Sequence, residues 1–193
     1  MILNSPEIWH RADFPVLCNW RLLWRAVEVG VDRGEFARVF LDRWQGHEWR
    51  GVDNYQPYPE MPYDRDPDYQ FALDRLKPHA SRAKLLKHGS VEASRFFEPN
   101  SVDFVYIDGA HTYDAVWADL HAWYPKLSER GILAGHDWTD QPHHAGVKRA
   151  VTEFASRLGR DVYITTVDGY REETCPSWYL YVDEMPGPDW RRC

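Results

Sequence analysis

The chain has 193 residues, 44% of them hydrophobic and 27% charged, which suits one domain with a substantial core and excludes wholesale disorder. A formal net charge of -7, without a run of Lys or Arg, argues against nucleic acid as the main partner. No apolar run approaches the roughly 20 residues of a membrane span. The N-terminus lacks the basic-then-apolar order of a secretory leader, and Cys18, Cys175 and Cys193 form neither a disulfide framework nor a CxxC metal motif. A reduced cytoplasmic setting is the expectation, with no membrane partner.

In chain order, residues 1–24 read as a helical or irregular cover holding Trp9, Trp20 and Trp24, three of ten tryptophans. Short β-type runs follow at 25–30, 48–54, 83–88, 102–108, 131–137, 161–167 and 177–182. Between them, apolar residues recur at helical spacing in Gly34 to Gln45, in Tyr113 to Leu127 and in Ala145 to Leu158. Strands alternating with helices of this length predict a doubly wound, mostly parallel sheet covered on both faces. Only DGYREETCP separates the last two runs, too short for a crossover helix, so these pair as an antiparallel hairpin at a sheet edge. The expected organisation is a single domain, with a core over 25–182 and a tail over 183–193.

Ligands of open α/β sheets bind beyond the carboxyl ends of the strands, so the chemistry is sought there. The first run ends in Glu28-Val29-Gly30-Val31-Asp32-Arg33-Gly34, a glycine turn opening a helix, where backbone comes close to a ligand. The common alternative is a plain strand–turn–helix. The second ends on Asp53, about twenty residues beyond the glycine turn, where a ribose-binding acid belongs in nucleotide-binding βαβ units. The third ends in His88-Gly89-Ser90-Val91, where Ser90 is a natural helix N-cap and Ser90 or Val91 also suits an adenine edge. The fourth ends in Asp108-Gly109-Ala110-His111, with Thr112 placed to cap the next helix. The fifth ends in His136-Asp137. Carboxylate and imidazole on neighbouring strand tips offer either a general base or a divalent-metal site. His143 and His144 are read as solvated loop residues within reach of that site.

The set VEVGVDRGEFA, Asp53, GSVEA and FVYIDGAHTYDAVWADLHAWYPKLSERGILAGHDW resembles the class I S-adenosylmethionine-dependent methyltransferases. Within that class it is similar to the methyltransferase-24-like small-molecule subgroup, related to macrolide and aminocoumarin sugar O-methyltransferases. The resemblance spans roughly residues 25–182 and implies a Rossmann-like seven-stranded sheet closed by the antiparallel hairpin. It departs in the glycine turn, where Asp32 stands in place of the usual middle glycine. By position it implies a cofactor site of Glu28, Gly30, Gly34, Asp53, Ser90, Val91 and Asp108, with S-adenosylmethionine as cofactor. It further implies Mg²⁺ or another divalent metal on Asp108, Asp137 and His136, and catalytic roles for His111, His136 and Asp108. The expected reaction is O-methylation of a sugar, polyol or phenolic hydroxyl of a small molecule. A homodimer is compatible with exposed N-terminal tryptophan. A nicotinamide-dependent oxidoreductase shares the glycine turn and ribose acid, and a methyltransferase-like domain that binds without turnover is the non-enzymatic alternative.

Overall fold

A computed structural model describes residues 1–5, 8–58, 61–142, 144–165 and 175–183. Its elements in chain order begin with β1 (Ile2–Asn4), α1 (Phe14–Trp20), β2 (Arg25–Val29), α2 (Glu35–Arg43), β3 (Glu48–Val52), α3 (Asp66–Leu76) and β4 (Ala83–Leu86). There follow α4 (Ser90–Ala93), β5 (Val102–Ile107), α5 (Tyr113–Trp123), β6 (Leu127–Gly135), α6 (Ala145–Leu158), β7 (Val162–Ile164) and β8 (Trp178–Tyr181).

The sheet order is β1-β7-β8-β6-β5-β2-β3-β4. Every pairing is parallel except those of β8, which runs antiparallel to both β6 and β7. The antiparallel pairing expected from the short connection is therefore present, although most of that connection lies outside the described residues. Two expectations need correction. The sheet has eight strands rather than seven, and the β7–β8 pair is not its edge. β1 covers β7, with Ile2 opposite Val162, and the ladder extends to Val162 N–H on the Met1 carbonyl (2.8 Å) and Ser5 N–H on that of Ile164 (2.7 Å). A three-residue strand has no period to read in sequence. It is defined by the edge it finds, and it keeps β7 from being an open template.

Both sheet faces are apolar because a parallel strand is covered on both sides. On one face Phe36 stacks on Tyr106 with ring centres 4.2 Å apart, and Phe40 on Phe104 at 5.2 Å. Such pairs add about 0.5–1.5 kcal/mol each beyond burial. The other face buries Trp123, Trp178, Leu120, Val151 and Phe154 beneath α5 and α6. Trp9, Trp20 and Trp24 of the N-terminal cover are exposed, so the aromatic core is built instead from Trp44, Trp49, Trp123 and Trp178.

Strand register sets the site. Val29 pairs with both Val52 and Ile107, and Ile107 pairs with Gly135. Gly30, Asp53, Asp108 and His136 are thus the first residues off four neighbouring strands, side by side. Each donates its backbone N–H to the last carbonyl of an adjoining strand: Gly30 to Val52 (2.8 Å), Asp53 to Leu86 (3.2 Å), Asp108 to Val29 (2.7 Å) and His136 to Ile107 (3.0 Å). The sheet's hydrogen bonding runs one residue past its strands and fixes the backbone that carries the candidate chemistry.

Candidate active site

A cavity of about 540 Å³ opens over these tips, within the usual range for a small-ligand site. Its wall includes Gly30, Asp53, Ser90, Val91, Asp108 and Asp119. Gly30 has φ +83°, and a Cβ there would lie 2.0 Å from the Asp108 carbonyl oxygen. Only glycine lets these two strand ends touch. Asp32, in the middle-glycine position, also adopts a left-handed φ of 48°, which aspartate tolerates better than most residues. Its backbone N–H donates to Asp53 Oδ2 (3.0 Å), its carbonyl accepts from the Tyr55 hydroxyl (3.0 Å), and its carboxylate pairs with Arg65 at 2.5 Å. The other Asp53 oxygen accepts from Tyr55 N–H (2.9 Å). Asp53 therefore fastens the turn to the β3 tip while lining the cavity.

Gly34, also left-handed at φ +77°, N-caps α2 and faces Ala72 of α3, supporting the turn from behind the cavity wall. Glu28 is buried inside β2, and its Oε2 has no hydrogen-bond partner among the described residues. Burial first, then the nearby Asp108 charge, hold this carboxyl well above the ordinary carboxylate range, with Arg11 opposing.

At the α4 end of the cavity wall the N-cap of α4 is Gly89, so Ser90 does not cap the helix as the sequence suggests. Its hydroxyl instead accepts from the Trp123 indole N–H at 2.8 Å and bonds to Asp119. Burial pushes the Asp119 carboxyl up to about 6, with the Ser90 hydrogen bond pulling the other way.

The acid–imidazole cluster lies at the β5 and β6 tips. Thr112 caps α5, its hydroxyl accepting from Ala115 N–H at 3.3 Å, and so turns His111 toward β6. His111 Nε2 stands 2.9 Å from Asp137 Oδ2. His136 Nδ1 lies 3.2 Å from Asp137 Oδ1 and 3.7 Å from Asp108 Oδ1. Asp137 is buried and held at φ 59°, an unusual backbone for a non-glycine residue, which puts its carboxylate among the imidazoles. All four expected residues are therefore brought together. His144 joins them at 3.5 Å from Asp137 Oδ1, with its side chain only 24% exposed, so it belongs to the cluster rather than to a solvated loop. His143 lies outside the described residues.

The two carboxylates are driven apart. Burial would raise Asp137, but hydrogen bonds and charges from His111 and His136 pull it far below the usual range. Asp108 is raised, chiefly by burial and against the pull of His136 and Arg11. Burial would lower His136, yet the Asp137 hydrogen bond and the charges of Asp108 and Asp137 lift it above an ordinary histidine. Asp137 is thus biased toward its anionic form and His136 toward its cationic form.

Arg11 joins the cluster from the N-terminal side. The N-terminal cover sends its guanidinium over the Phe36 ring (5.7 Å), with Nη1 3.4 Å from Asp108 Oδ2. No sequence motif flags Arg11. Asp119 did have a signal, because it stands three residues after Val116 and four before Trp123 on the apolar stripe of α5.

The chain and its fold have counterparts among known proteins. Residues 27–138 match the methyltransferase-24 family model, described as a methyltransferase domain. A stretch of 116 residues is 33% identical to the uncharacterized protein y4gI of Sinorhizobium fredii, covering 60% of this chain. The chain spans only 12% of that curated relative's length. The fold is similar to that of an O-methyltransferase from Bacillus cereus in complex with S-adenosylhomocysteine, with TM-score 0.66, 11% identity, and 89% of this chain and 80% of that one covered. It is equally similar to the O-methyltransferase TomG of Streptomyces achromogenes, involved in tomaymycin synthesis and solved with S-adenosylmethionine, at TM-score 0.66 and 12% identity over 89% of this chain and 78% of that one. With more than half of its length matched by the family model and its sheet closed by the antiparallel β8, the chain belongs to the methyltransferase-24 family of class I S-adenosylmethionine-dependent methyltransferases.

Proposed function

We propose that this protein transfers a methyl group from S-adenosylmethionine to a hydroxyl oxygen of a small molecule such as a sugar, polyol or phenol. The observation that carries the reading is the position of Asp108. It lines the large cavity and also sits in the cluster with His136 and Asp137. A cofactor in that cavity would thus present its reactive end to the cluster.

The residues present fit this cofactor. Gly30 lines the cavity and packs on Asp108 with no room for a Cβ, and the buried Glu28 carboxyl two residues before it keeps one oxygen without a partner among the described residues. Gly30 and Glu28 serve the methionine end, Asp53 the ribose, and Ser90 and Val91 the adenine. Gly34 keeps the turn in place. The sulfonium supplies an activated methyl group. The chain's task is to hold acceptor oxygen, methyl carbon and sulfur nearly in line, and positioning of this kind contributes several kcal/mol.

An alcohol also has to lose its proton. His111 is the base in this reading, because Asp137 orients its ring and stabilises the imidazolium formed, as carboxylates do for catalytic imidazoles elsewhere. His136, biased toward its charged form, serves better as a fixed positive group beside the acceptor oxygen. Asp108, His136 and Asp137 place one ligand atom each within 4.8 Å of one another, so this group also fits a divalent ion. An ion there would polarise the acceptor hydroxyl. The imidazole makes the set softer than the all-oxygen shell magnesium favours.

The test is a panel of sugars, polyols and phenols assayed for S-adenosylhomocysteine release, with magnesium, with manganese and with a strong chelator. The reading expects turnover with at least one hydroxyl acceptor and its loss in His111→Ala. Release confined to amine acceptors would overturn the oxygen assignment. Rates unchanged by the chelator would remove the ion.

A further inference from the structure

The proposed reaction does not use His144 or Cys175, yet His144 reaches Asp137 and Cys175 reaches His144. His144 Nδ1 lies 3.5 Å from Asp137 Oδ1, and its ring centre is 4.2 Å from that of His111. One ligand atom each from His111, Asp137 and His144 lies within 4.8 Å of the others. The Cys175 Sγ is 3.9 Å from His144 Nδ1. Two imidazoles from separate segments thus meet on the Asp137 carboxylate, and the Cys175 thiol stands beside one of them.

The fold enforces this meeting. Gly146, in the first turn of α6, packs so closely on the β5–α5 connection that a Cβ would lie 2.4 Å from both the His111 carbonyl oxygen and Tyr113 N. This approach brings His144 onto His111. Across the site, Trp138 N–H donates to the Pro176 carbonyl at 2.9 Å, which ties the residue after Cys175 to the β6 tip.

We propose that His111, Asp137 and His144, with the Cys175 thiolate as fourth donor, form a binding site for a borderline-soft divalent ion of the zinc or cobalt type. The site shares Asp137 with the Asp108–His136–Asp137 group but otherwise has its own ligands. A tetrahedral ion with nitrogen or oxygen donors at ~2.0–2.1 Å and sulfur at ~2.3 Å separates its donors by about 3.3–3.6 Å. The distances of 2.9 Å (His111–Asp137), 3.5 Å (His144–Asp137) and 3.9 Å (Cys175–His144) bracket that value. Two imidazoles and a thiolate select zinc or cobalt and reject magnesium. Binding needs neutral imidazoles and a deprotonated thiol, so it releases protons and weakens in acid. One consequence rests on the proposed role of His111 as base: an ion held here occupies that imidazole and inhibits methyl transfer, whereas magnesium does not.

Cobalt(II) added to the metal-free full chain is the direct probe, read by equilibrium affinity and absorption. The expected result is one ion per chain with four-coordinate visible bands and a near-ultraviolet thiolate-to-cobalt band. Cys175→Ser removes the thiolate band. His144→Ala weakens cobalt binding tenfold or more, about the loss that even an outer-sphere partner can cause. Asp108→Asn leaves the thiolate band in place. Absence of cobalt binding, a spectrum without the thiolate band, or an affinity set by Asp108 and indifferent to His144 each overturns the site. S-adenosylhomocysteine binding, measured on the same samples, confirms the variants are folded and separates failure of this site from failure of the methyltransferase reading.

Discussion

The Asp137 carboxylate is shared by three imidazoles, and its shortest contact is to His111, at 2.9 Å between Oδ2 and Nε2. A carboxylate held ionised on one side of an imidazole fixes the ring's orientation and favours proton uptake on the other. Asp137→Asn keeps the size of the side chain and removes the charge. Turnover is expected to fall by about 10²–10⁴, the usual worth of a positioned acid–base group. Cofactor affinity, measured by calorimetry with S-adenosylhomocysteine, should stay near the native value because Asp53 and Gly30, the proposed cofactor contacts, are untouched. Native turnover in this variant would remove Asp137 from the mechanism.

The same variant should shift a titration that NMR can follow. His136 is raised above its ordinary value although burial opposes this, because Asp137 and Asp108 favour the charged ring. A histidine with a raised folded value stabilises the fold fully below its unfolded value, near 6.5, and loses that contribution as pH climbs through the folded value. Asp137 is lowered, so its contribution is present above about 3.9 and is lost only in strong acid. The His136 ring resonances should titrate above pH ~6.5 in the native chain and lower in Asp137→Asn. Identical titrations in the two proteins would contradict the pairing.

Much of this site is legible in sequence for a physical reason. A buried parallel strand is a short apolar run, and its end is marked where a polar residue or glycine follows. Asp53, Asp108 and His136-Asp137 stand out in this way, and strand register then aligns them. Periodicity says nothing about residues positioned only by long-range packing. Ile2–Asn4 becomes a strand because β7 offers an edge, and Arg11 reaches Asp108 across 97 positions of sequence. His144 approaches His111 because Gly146 lets α6 dock against the β5–α5 connection. Ser90 illustrates a different failure. Its chemistry suits a cap, but a one-residue offset gives the capping position to Gly89 and turns the hydroxyl to Trp123 and Asp119.

Gly30→Ala tests the contact between the glycine turn and the β5 tip. The left-handed backbone alone costs a non-glycine residue about 1–2 kcal/mol. The added Cβ would also lie 2.0 Å from the Asp108 carbonyl oxygen, so the two strand ends have to separate. Thermal unfolding should shift down by several degrees, and S-adenosylhomocysteine affinity should drop with it. Gly159→Ala makes a useful control, because Gly159 is also left-handed, at φ +66°, but has open space around its α-carbon. It should lose stability without losing cofactor affinity. Equal affinity losses in the two variants would show that the Asp108 contact has no special role.

Asp119 gives a prediction of opposite sign. Burial lifts its carboxyl from 3.8 to about 6, with the Ser90 hydrogen bond only partly offsetting this. A raised folded value means the protonated form suits the fold. Its favourable contribution is complete below pH ~4 and is lost as pH rises through the folded value, leaving a buried charge at neutral pH. A rise of that size corresponds to about 3 kcal/mol. Asp119→Asn should therefore be more stable than the native chain at pH 8, by up to about that amount, and should show no advantage at pH 4. Chemical denaturation across this range measures the difference directly. The proposed function gives the gain a counterpart, because Asp119 lines the cavity beside Ser90 and Val91, the residues it assigns to the adenine. A carboxylate there accepts from a donor such as an exocyclic amine, which would offset its desolvation when the cofactor binds. Asp119→Asn should then bind S-adenosylhomocysteine more weakly at pH 8 despite its greater stability, by about tenfold for the loss of one charged hydrogen bond. If affinity is unchanged, Asp119 has no part in cofactor binding and its strained carboxyl is a matter of packing alone.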